Sequence, residues 1–479
     1  MFLTGLCVRT FSVSMPRTHV SWLPVIENAT RPRYKAIVEA LELAIRSKQL
    51  YPGQQLPTQR ALARALRVSV QTVSKAYVEA QRRGLTTGAV GRGTFVQYAR
   101  INQSESLAHN RGTNVLDFAN LAPVVSDLHL SALKQALINL AKDPACLLER
   151  PSAQELALHR QAGVAWLERN GIDVIAEEVI ITNGAAHGVW MTMASTVGIG
   201  DVVATEALAA PSIIINASRL KLRLRGIELD EEGIIPEALE EAHRREPFKL
   251  LCITPCYNNP TVSLMKEPRR AKIADIARRY GMLILEHDVF GPLIPRRPKP
   301  IWHFAPERTF YVSSLSSTLM SSLRAGYMVG PATTISRILS HLPVTESMGN
   351  TWAAEVAARW IFDGTADLMI DWQRKKLEMR NNMVAKILNH SDVASHLHAM
   401  HIWLHLPEQW RSRHFVEQAR SRGLLVASPE SFIVGRAAEP HAVRIALGDT
   451  NREDHQFAQG IQLISTLLHE PPGPISALY

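Results

Sequence analysis

LPTQRALARALRVSVQTVSKAYVEAQRRGL, residues 56–85, followed at 91–96 by GRGTFV, decides how the chain begins. Pro57 and Thr58 open a short helix over Arg60–Leu66, Arg67 and Val68 make a tight turn, and Ser69 can cap the helix that follows. In that last helix Val73, Ala76, Tyr77 and Ala80 share one apolar stripe. Gln71, Lys75 and Arg82 fall on the opposite face, with Thr72 at its edge. Upstream, Tyr34, Ile37, Leu41, Ala44 and Ile45 recur at helical spacing and predict a first helix with one face turned inward. Three helices and a Gly-Arg-Gly hairpin tip read as a winged helix-turn-helix, a unit that lays its last helix in a DNA major groove.

Hydroxyls, an amide and an ammonium near a helix N-terminus suit phosphate oxygens and base edges. Arg92, between two glycines, suits a minor groove entered from the wing tip. The alternative for any basic amphipathic helix is a solvated polar face, and the charge distribution weighs against it. Residues 1–96 hold fourteen Lys or Arg against four Asp or Glu, an excess of +10, while the other thirty-nine bases and forty acids leave −1. The basicity belongs to the head alone, as a phosphate-binding module requires.

A chain of 479 residues, 46% hydrophobic, exceeds one ordinary domain, so a head of residues 20–97 is expected ahead of a body over 115–475. Residues 98–114 are polar and without periodicity, a linker. Residues 1–19 read as a disordered or mis-assigned N-terminus, because Arg9 interrupts the apolar run, no cleavage site follows, and Met15 offers a later start. Cys7, Cys146, Cys252 and Cys256 are too few and scattered for a disulfide framework, and Cys252 with Cys256 lacks a second pair for zinc. A reducing cytoplasm is the expected setting. No apolar run is long enough to cross a membrane.

In the body, short β-rich runs alternate with helical stretches: VIIT at 179–182, DVVATE at 201–206, KLLCITP at 249–255, GMLILEHD at 281–288, FYVSS at 310–314 and GYMVG at 326–330. This alternation predicts an α/β fold with a mostly parallel sheet between helices. From about residue 365 a long helix, the strand HIWLHL at 401–406, another helix and AVRIALG at 442–448 predict a smaller C-terminal α+β subdomain. Ligands of such sheets sit at the carboxyl ends of the strands. His396, His398, His401 and His405 crowd one strand region, and with no carboxylate or cysteine at ligand spacing they read as half-exposed strand histidines, not as a metal site.

LPTQRALA, QTVSKAY and GRGTFV together resemble the GntR family of winged helix-turn-helix regulators, over about residues 30–97. That resemblance implies double-stranded DNA as partner, with Arg60, Ser69, Gln71, Thr72, Lys75 and Arg92 as its contacts. TNGAAHG at 182–188, PCYNNPT at 255–261, LEHDVFGPL at 285–293, SSLSSTLMSSLRAGYMV at 313–329 and VRIALG at 443–448 resemble, in order, the landmarks of fold-type I pyridoxal phosphate-dependent aminotransferases. A GntR head fused to such a body resembles the MocR subfamily, whose members usually form head-to-tail homodimers.

The resemblance also marks what is missing. Ser317 stands where the family places the lysine that forms a Schiff base with the cofactor aldehyde, and no lysine occurs between Lys299 and Lys375. The aspartate that keeps the pyridine nitrogen protonated falls on His287, with Asp288 one residue off on what should be the other face of the strand. The tyrosine that bonds the phenolic oxygen falls on Phe290. Ala209 and Ala210 replace a threonine and an aromatic residue beside the ring, and Val262 replaces a glycine. Gly184, Ala185, Asn259, Ser314, Ser316 and Arg324 still match the family's cofactor oxygen and phosphate contacts, and Arg444 matches its carboxylate clamp. The resemblance implies pyridoxal 5′-phosphate, yet the residues predict no covalent attachment and no catalytic residue. The expected function is a dimeric transcriptional regulator whose body senses a small anionic effector or only holds two heads together. The alternative is an aminotransferase with a DNA-binding head.

Overall fold

The structure, a computed structural model, describes residues 22–24, 32–46, 49–50, 54–82, 85–89, 93–96, 115–142, 153–341, 350–435, 438–448 and 453–472. The expectations for the N-terminal 1–19, the linker 98–114, Arg92, Cys7 and Cys146 lie outside the described residues. The chain divides into two compact units, Met1–Arg111 and Gly112–Tyr479.

In the first unit α1 (Arg33–Arg46) buries Ile37, Val38, Leu41 and Ala44. The second helix, α2 (Gln59–Leu66), is capped by Thr58, whose Oγ1 accepts the Ala61 N–H at 3.2 Å. Arg67 then takes a left-handed φ of 51°, which stops α2 and turns the chain into α3 (Val70–Arg82). Ser69 caps α3 as expected, its Oγ accepting the Thr72 N–H at 3.1 Å. The stripe Val73, Ala76, Tyr77 and Ala80 is buried. The Tyr77 hydroxyl donates to the Pro57 carbonyl at 2.8 Å, tying α3 to the entrance of α2. Strands β1 (Thr86–Ala89) and β2 (Gly93–Val96) pair antiparallel as the wing.

The second unit opens with β3 (Leu116–Phe118) and centres on a seven-stranded sheet. Its strands in chain order are β4 (Ile180–Thr182), β5 (Val202–Glu206), β6 (Arg223–Ile227), β9 (Leu250–Ile253), β10 (Leu283–His287), β11 (Thr309–Ser314) and β12 (Gly326–Val329). A two-strand hairpin, β7 (Leu229–Asp230) and β8 (Gly233–Ile234), follows β6. The spatial order is β4-β12-β11-β10-β9-β5-β6, with β6, β5, β9, β10 and β11 parallel and β12 antiparallel to both its neighbours. All six expected strands are in it. The edge strand β6 escaped the sequence reading because Arg223 and Arg225 alternate with Leu224 and leave no apolar run; such charges on an edge also deter pairing with other chains.

Strand alternation sorts the core into two layers. Cys252 of β9, Leu285 of β10, and Phe310 and Val312 of β11 pack with Val189 of the helix Ala185–Thr196. Leu251, Ile253 and Ile284 pack on the other face against the helix Glu267–Tyr280. The Ala185–Thr196 helix lies close on the sheet because Gly188 has no side chain; a Cβ there would meet Val312 at 2.8 Å.

The smaller subdomain contains the helix Thr365–Ile387 and a three-stranded sheet of β13 (Val393–Ala394), β14 (His401–His405) and β16 (Ala442–Ala446). Strand β15 (Leu424–Val426) pairs in parallel with β3. The histidine reading needs correction here. Only His401 and His405 lie on a strand, and His401, on the central strand β14, is 0% exposed. His396 and His398 are half-buried in the preceding loop, and exposed His405 faces the Asp392 carboxylate at 3.2 Å. Among the described residues no group of three or more His, Cys, Asp or Glu could hold a metal ion.

Candidate functional site

On the head, Arg60 of α2 and Ser69, Gln71 and Lys75 at the start of α3 are all exposed, and Thr72 is half-buried beside them. The Ser69 and Thr72 hydroxyls bond to each other at 2.8 Å, so one of their two hydrogens is spent within the pair. The Lys75 ammonium rests 4.5 Å from the centre of the Tyr34 ring on α1, which limits its rotamers without neutralising it. The resulting face offers two cations, an amide and a free hydroxyl hydrogen to an outside partner, over a closed apolar core.

In the body His287 and Ser314 end the parallel strands β10 and β11, and Asn259 follows a third, β9. His287 closes β10 and points to the Leu285 face by alternation. It is 6% exposed, and its Nδ1 has no hydrogen-bond partner. Burial pulls its pKa down to about 4 although Asp288 opposes the shift, so the ring is neutral at physiological pH. Asp288 turns to the opposite face. Its Oδ2 accepts from Arg297 at 2.5 Å and from the Tyr311 hydroxyl at 2.8 Å, and its Oδ1 accepts the Gly291 N–H at 2.8 Å. Burial would raise this carboxyl, but the Arg297 charge and the Tyr311 bond outweigh it and hold the pKa below the ordinary value. The acid is thereby an anchor for the loop after β10.

Phe290 is buried, its ring 6.0 Å from that of His401. His401 Nε2 donates to the Asn258 carbonyl at 3.0 Å. Burial first and the nearby Arg444 second pull the His401 pKa down to about 3. The same Asn258 carbonyl accepts the Val262 N–H at 2.7 Å. Val262 closes this turn with φ 64°, a left-handed value that a β-branched residue adopts only under strain and that explains why glycine suits the position.

Arg444, on β16, is 5% exposed. It donates from Nη1 to Asn259 Oδ1 at 2.9 Å and from Nη2 to the Ala119 carbonyl, and its guanidinium sits 5.1 Å from the Phe432 ring centre. Its Nε has no partner. Burial lowers its pKa to about 10, with Asp117 opposing, and the group stays cationic.

Gly184 precedes the helix Ala185–Thr196 with φ 78°. The exposed Arg324 guanidinium lies 3.4 Å from where a Gly184 Cβ would be and donates to the Asn183 carbonyl at 3.2 Å. A helix N-terminus and a guanidinium therefore share one small space, an anion-binding arrangement. Ser314 Oγ donates to the Ala325 carbonyl at 3.2 Å and accepts the Ser316 N–H at 3.1 Å, while Ser316 Oγ reaches the same carbonyl at 3.5 Å. Both hydroxyl hydrogens thus serve the turn that carries half-buried Ser317. Ala209 and Ala210 are buried, the Ala209 N–H donating to the Phe432 carbonyl at 2.9 Å.

Two residues escaped the sequence reading. Glu206, closing β5, is fully buried, accepts the Thr254 N–H at 2.5 Å and the Thr205 hydroxyl at 2.9 Å, and has its pKa raised by burial. Its one signal was an acid ending an apolar strand. His187 accepts the Asn183 N–H at 3.1 Å beside Arg324, and burial, with that charge second, lowers its pKa. Cys252 and Cys256 are buried thiols; burial raises both, Cys256 to about 11, so neither is a ready nucleophile.

Comparison with known proteins fits both halves. Residues 33–96 match the family of bacterial regulatory proteins, gntR family, and residues 124–461 match aminotransferase class I and II. The HTH-type transcriptional regulator YdeF of Bacillus subtilis (strain 168) is 29% identical over 457 residues, covering 94% of this chain and 97% of that protein. The HTH-type transcriptional regulator TauR of Rhodobacter capsulatus is 26% identical, over 60% of this chain and 65% of that protein. Among solved structures, Pyrococcus horikoshii kynurenine aminotransferase in complex with PMP superposes with a TM-score of 0.70 at 20% identity, covering 78% of this chain and 95% of that one. Among the described residues, no helix is long and apolar enough to cross a membrane.

Proposed function

Because the chain belongs to the aminotransferase class I and II family and carries a gntR-family head in front of that domain, the arrangement of MocR-type regulators, we propose that it regulates transcription through the head and does not transaminate. The observation that carries this reading is the exposed face of Arg60, Ser69, Gln71 and Lys75 on a head that concentrates the chain's positive charge. Arg92 at the wing adds a further DNA contact, and a cytoplasmic homodimer places two heads on paired half-sites. The body serves as the effector-sensing or dimerising module. An effector changes DNA affinity only by binding two arrangements of the body unequally.

Absence of transamination follows from chemistry. The Ser317 hydroxyl cannot form an imine or return as a free amine to move the substrate proton. The carboxylate that could hold a pyridinium, Asp288, is committed to Arg297 and Tyr311 on the other face. The residues present therefore do not fit pyridoxal phosphate in its catalytic mode.

Footprinting upstream of the chain's own gene, followed by titration of that duplex at several salt concentrations, tests the reading. A protected pair of sites with affinity falling steeply as salt rises is expected. Binding no tighter than to random DNA overturns it. A borohydride-fixed cofactor together with amino-acid-dependent turnover would establish the enzyme instead.

A further inference from the structure

The outer face of α3 is not wholly polar. Beside Gln71 and Lys75 it carries two apolar side chains open to solvent, Val70 at 45% and Val78 at 63% exposure. At about 3.6 residues per turn, Val70, Gln71, Ser74, Lys75 and Val78 all fall on the side turned away from the buried Val73, Ala76, Tyr77 and Ala80. Neither valine belongs to the apolar core of the head, which closes without them. An isolated exposed valine on a protein surface means little. One set among the groups that meet DNA is held against base edges.

Val70 is the first residue of α3, directly after the Ser69 cap. The buried stripe and the bond from the Tyr77 hydroxyl to the Pro57 carbonyl fix the rotation of the helix, and so the direction of Val70. A side chain branched at Cβ keeps essentially one χ1 rotamer in a helix, so its methyls stay in one place and lose little freedom on contact. The N-terminal residues of a recognition helix are the ones that reach base edges. Val78 lies about 12 Å farther along the axis.

In the major groove only thymine presents an apolar group, its C5 methyl. Cytosine in the same place would turn its amino donor against the valine and leave it without an acceptor, and the guanine acceptors would find no donor there. Gln71, the next residue, can both donate to N7 and accept from N6 of an adenine. Two adjacent exposed side chains at the start of α3 are thus matched to A·T pairs, one by shape and one by hydrogen bonding.

We propose that Val70 is a specificity-determining residue of the head, packing on the C5 methyl of a thymine in each half-site next to the base pair that Gln71 meets. This deepens, and rests on, the reading of the head as a DNA-binding module. It adds to the contacts of Gln71 and Lys75 a selection made by an uncharged, non-hydrogen-bonding side chain.

The test uses the full chain and a duplex that it selects from a random-sequence pool, resynthesised with deoxyuridine at one thymidine position at a time. Deoxyuridine pairs as thymidine does but lacks the methyl. One position per half-site is expected at which this change weakens binding about fourfold, the worth of one buried methyl, and at which a cytosine weakens it further. In Val70→Ala the loss at that position vanishes while the salt slope stays native, since no charge is removed. Val78→Ala keeps the full loss. Overturning results are a selected duplex in which no deoxyuridine weakens binding, a loss equal in Val70→Ala and the native chain, or a loss removed by Val78→Ala instead. The first of these needs no variant to fold. A selected duplex indifferent to its thymine methyls sinks only this inference, whereas a pool that yields nothing bound more tightly than random DNA sinks the regulator with it.

Discussion

The head and the body treat their polar side chains in opposite ways. In the head, Arg60, Gln71 and Lys75 stand outside a closed core made by α1, α2 and α3, and no described fold contact depends on them beyond the Lys75 cation on Tyr34. In the body, His287, Asp288, His401 and Arg444 are sunk in the core, and Asp288, His401 and Arg444 tie separate segments together. Changes to the head's chemical groups should therefore cost affinity at constant stability, and changes to the body's should cost stability first.

The largest effect belongs to Asp288. Asparagine at 288 keeps the shape but leaves the Arg297 guanidinium, 12% exposed, without its counter-charge. Breaking a buried pair from one side costs about 3–5 kcal/mol. Urea denaturation of Asp288→Asn is expected to show a loss of that size in the body's transition, with DNA affinity per folded molecule unchanged. A loss below about 1 kcal/mol would mean that the loop after β10 is held by something else.

Next in size is the head. Arg60→Ala and Lys75→Ala should each weaken operator binding by about 1–3 kcal/mol and lower the salt slope by about one counterion, alike for all sequences. Gln71→Ala should instead relax preference at one base pair. The body's melting temperature stays put in all three. If Lys75→Ala also unfolds the head, the Tyr34 contact is structural and the contrast between the two regions weakens.

These two tests also mark what could be read without coordinates. The head was legible because its logic is local: Thr58 and Ser69 cap helices beginning at the next residue, and a single stripe on α3 fixes which face is left over. The expectation for Ser317 needs no geometry, since a hydroxyl cannot form an imine wherever it points. The commitment of Asp288 was not legible, since its partners lie in the Pro-rich loop at Arg297 and on the neighbouring strand at Tyr311, and neither residue belongs to a motif. Pairing of β3 with β15 joins segments some three hundred residues apart with no sequence signal. The burial of His401 depended on β14 being the central strand of its sheet, which only the register reveals.

A smaller effect, and a pH-dependent one, comes from His401. It stays neutral in the native protein down to about pH 3, whereas in the unfolded chain it takes a proton near its ordinary value of 6.5. The native state thus binds fewer protons, so its contribution is complete above pH 6.5 and falls by about 1.4 kcal/mol per unit as pH drops below it. Between pH 7 and pH 5 the native chain should lose about 2 kcal/mol more than His401→Gln, which cannot titrate. Equal losses would show that His401 reaches solvent.

The smallest effect is the most informative about how the cleft diverged. At φ 64° a valine at 262 pays about 1–2 kcal/mol relative to glycine, but its side chain is buried and contributes about 1.5–3 kcal/mol. Val262→Gly also loosens the unfolded chain, which works against the variant by a further fraction of a kcal/mol. These terms nearly cancel, so thermal denaturation should place Val262→Gly slightly below the native chain, by about 1 kcal/mol or less after strain relief. A loss above about 3 kcal/mol would mean that the surroundings have repacked around the valine and that the turn is no longer the glycine turn it replaced. A near-neutral result would leave the turn holding Asn258, and through it His401, in a shape glycine still fits.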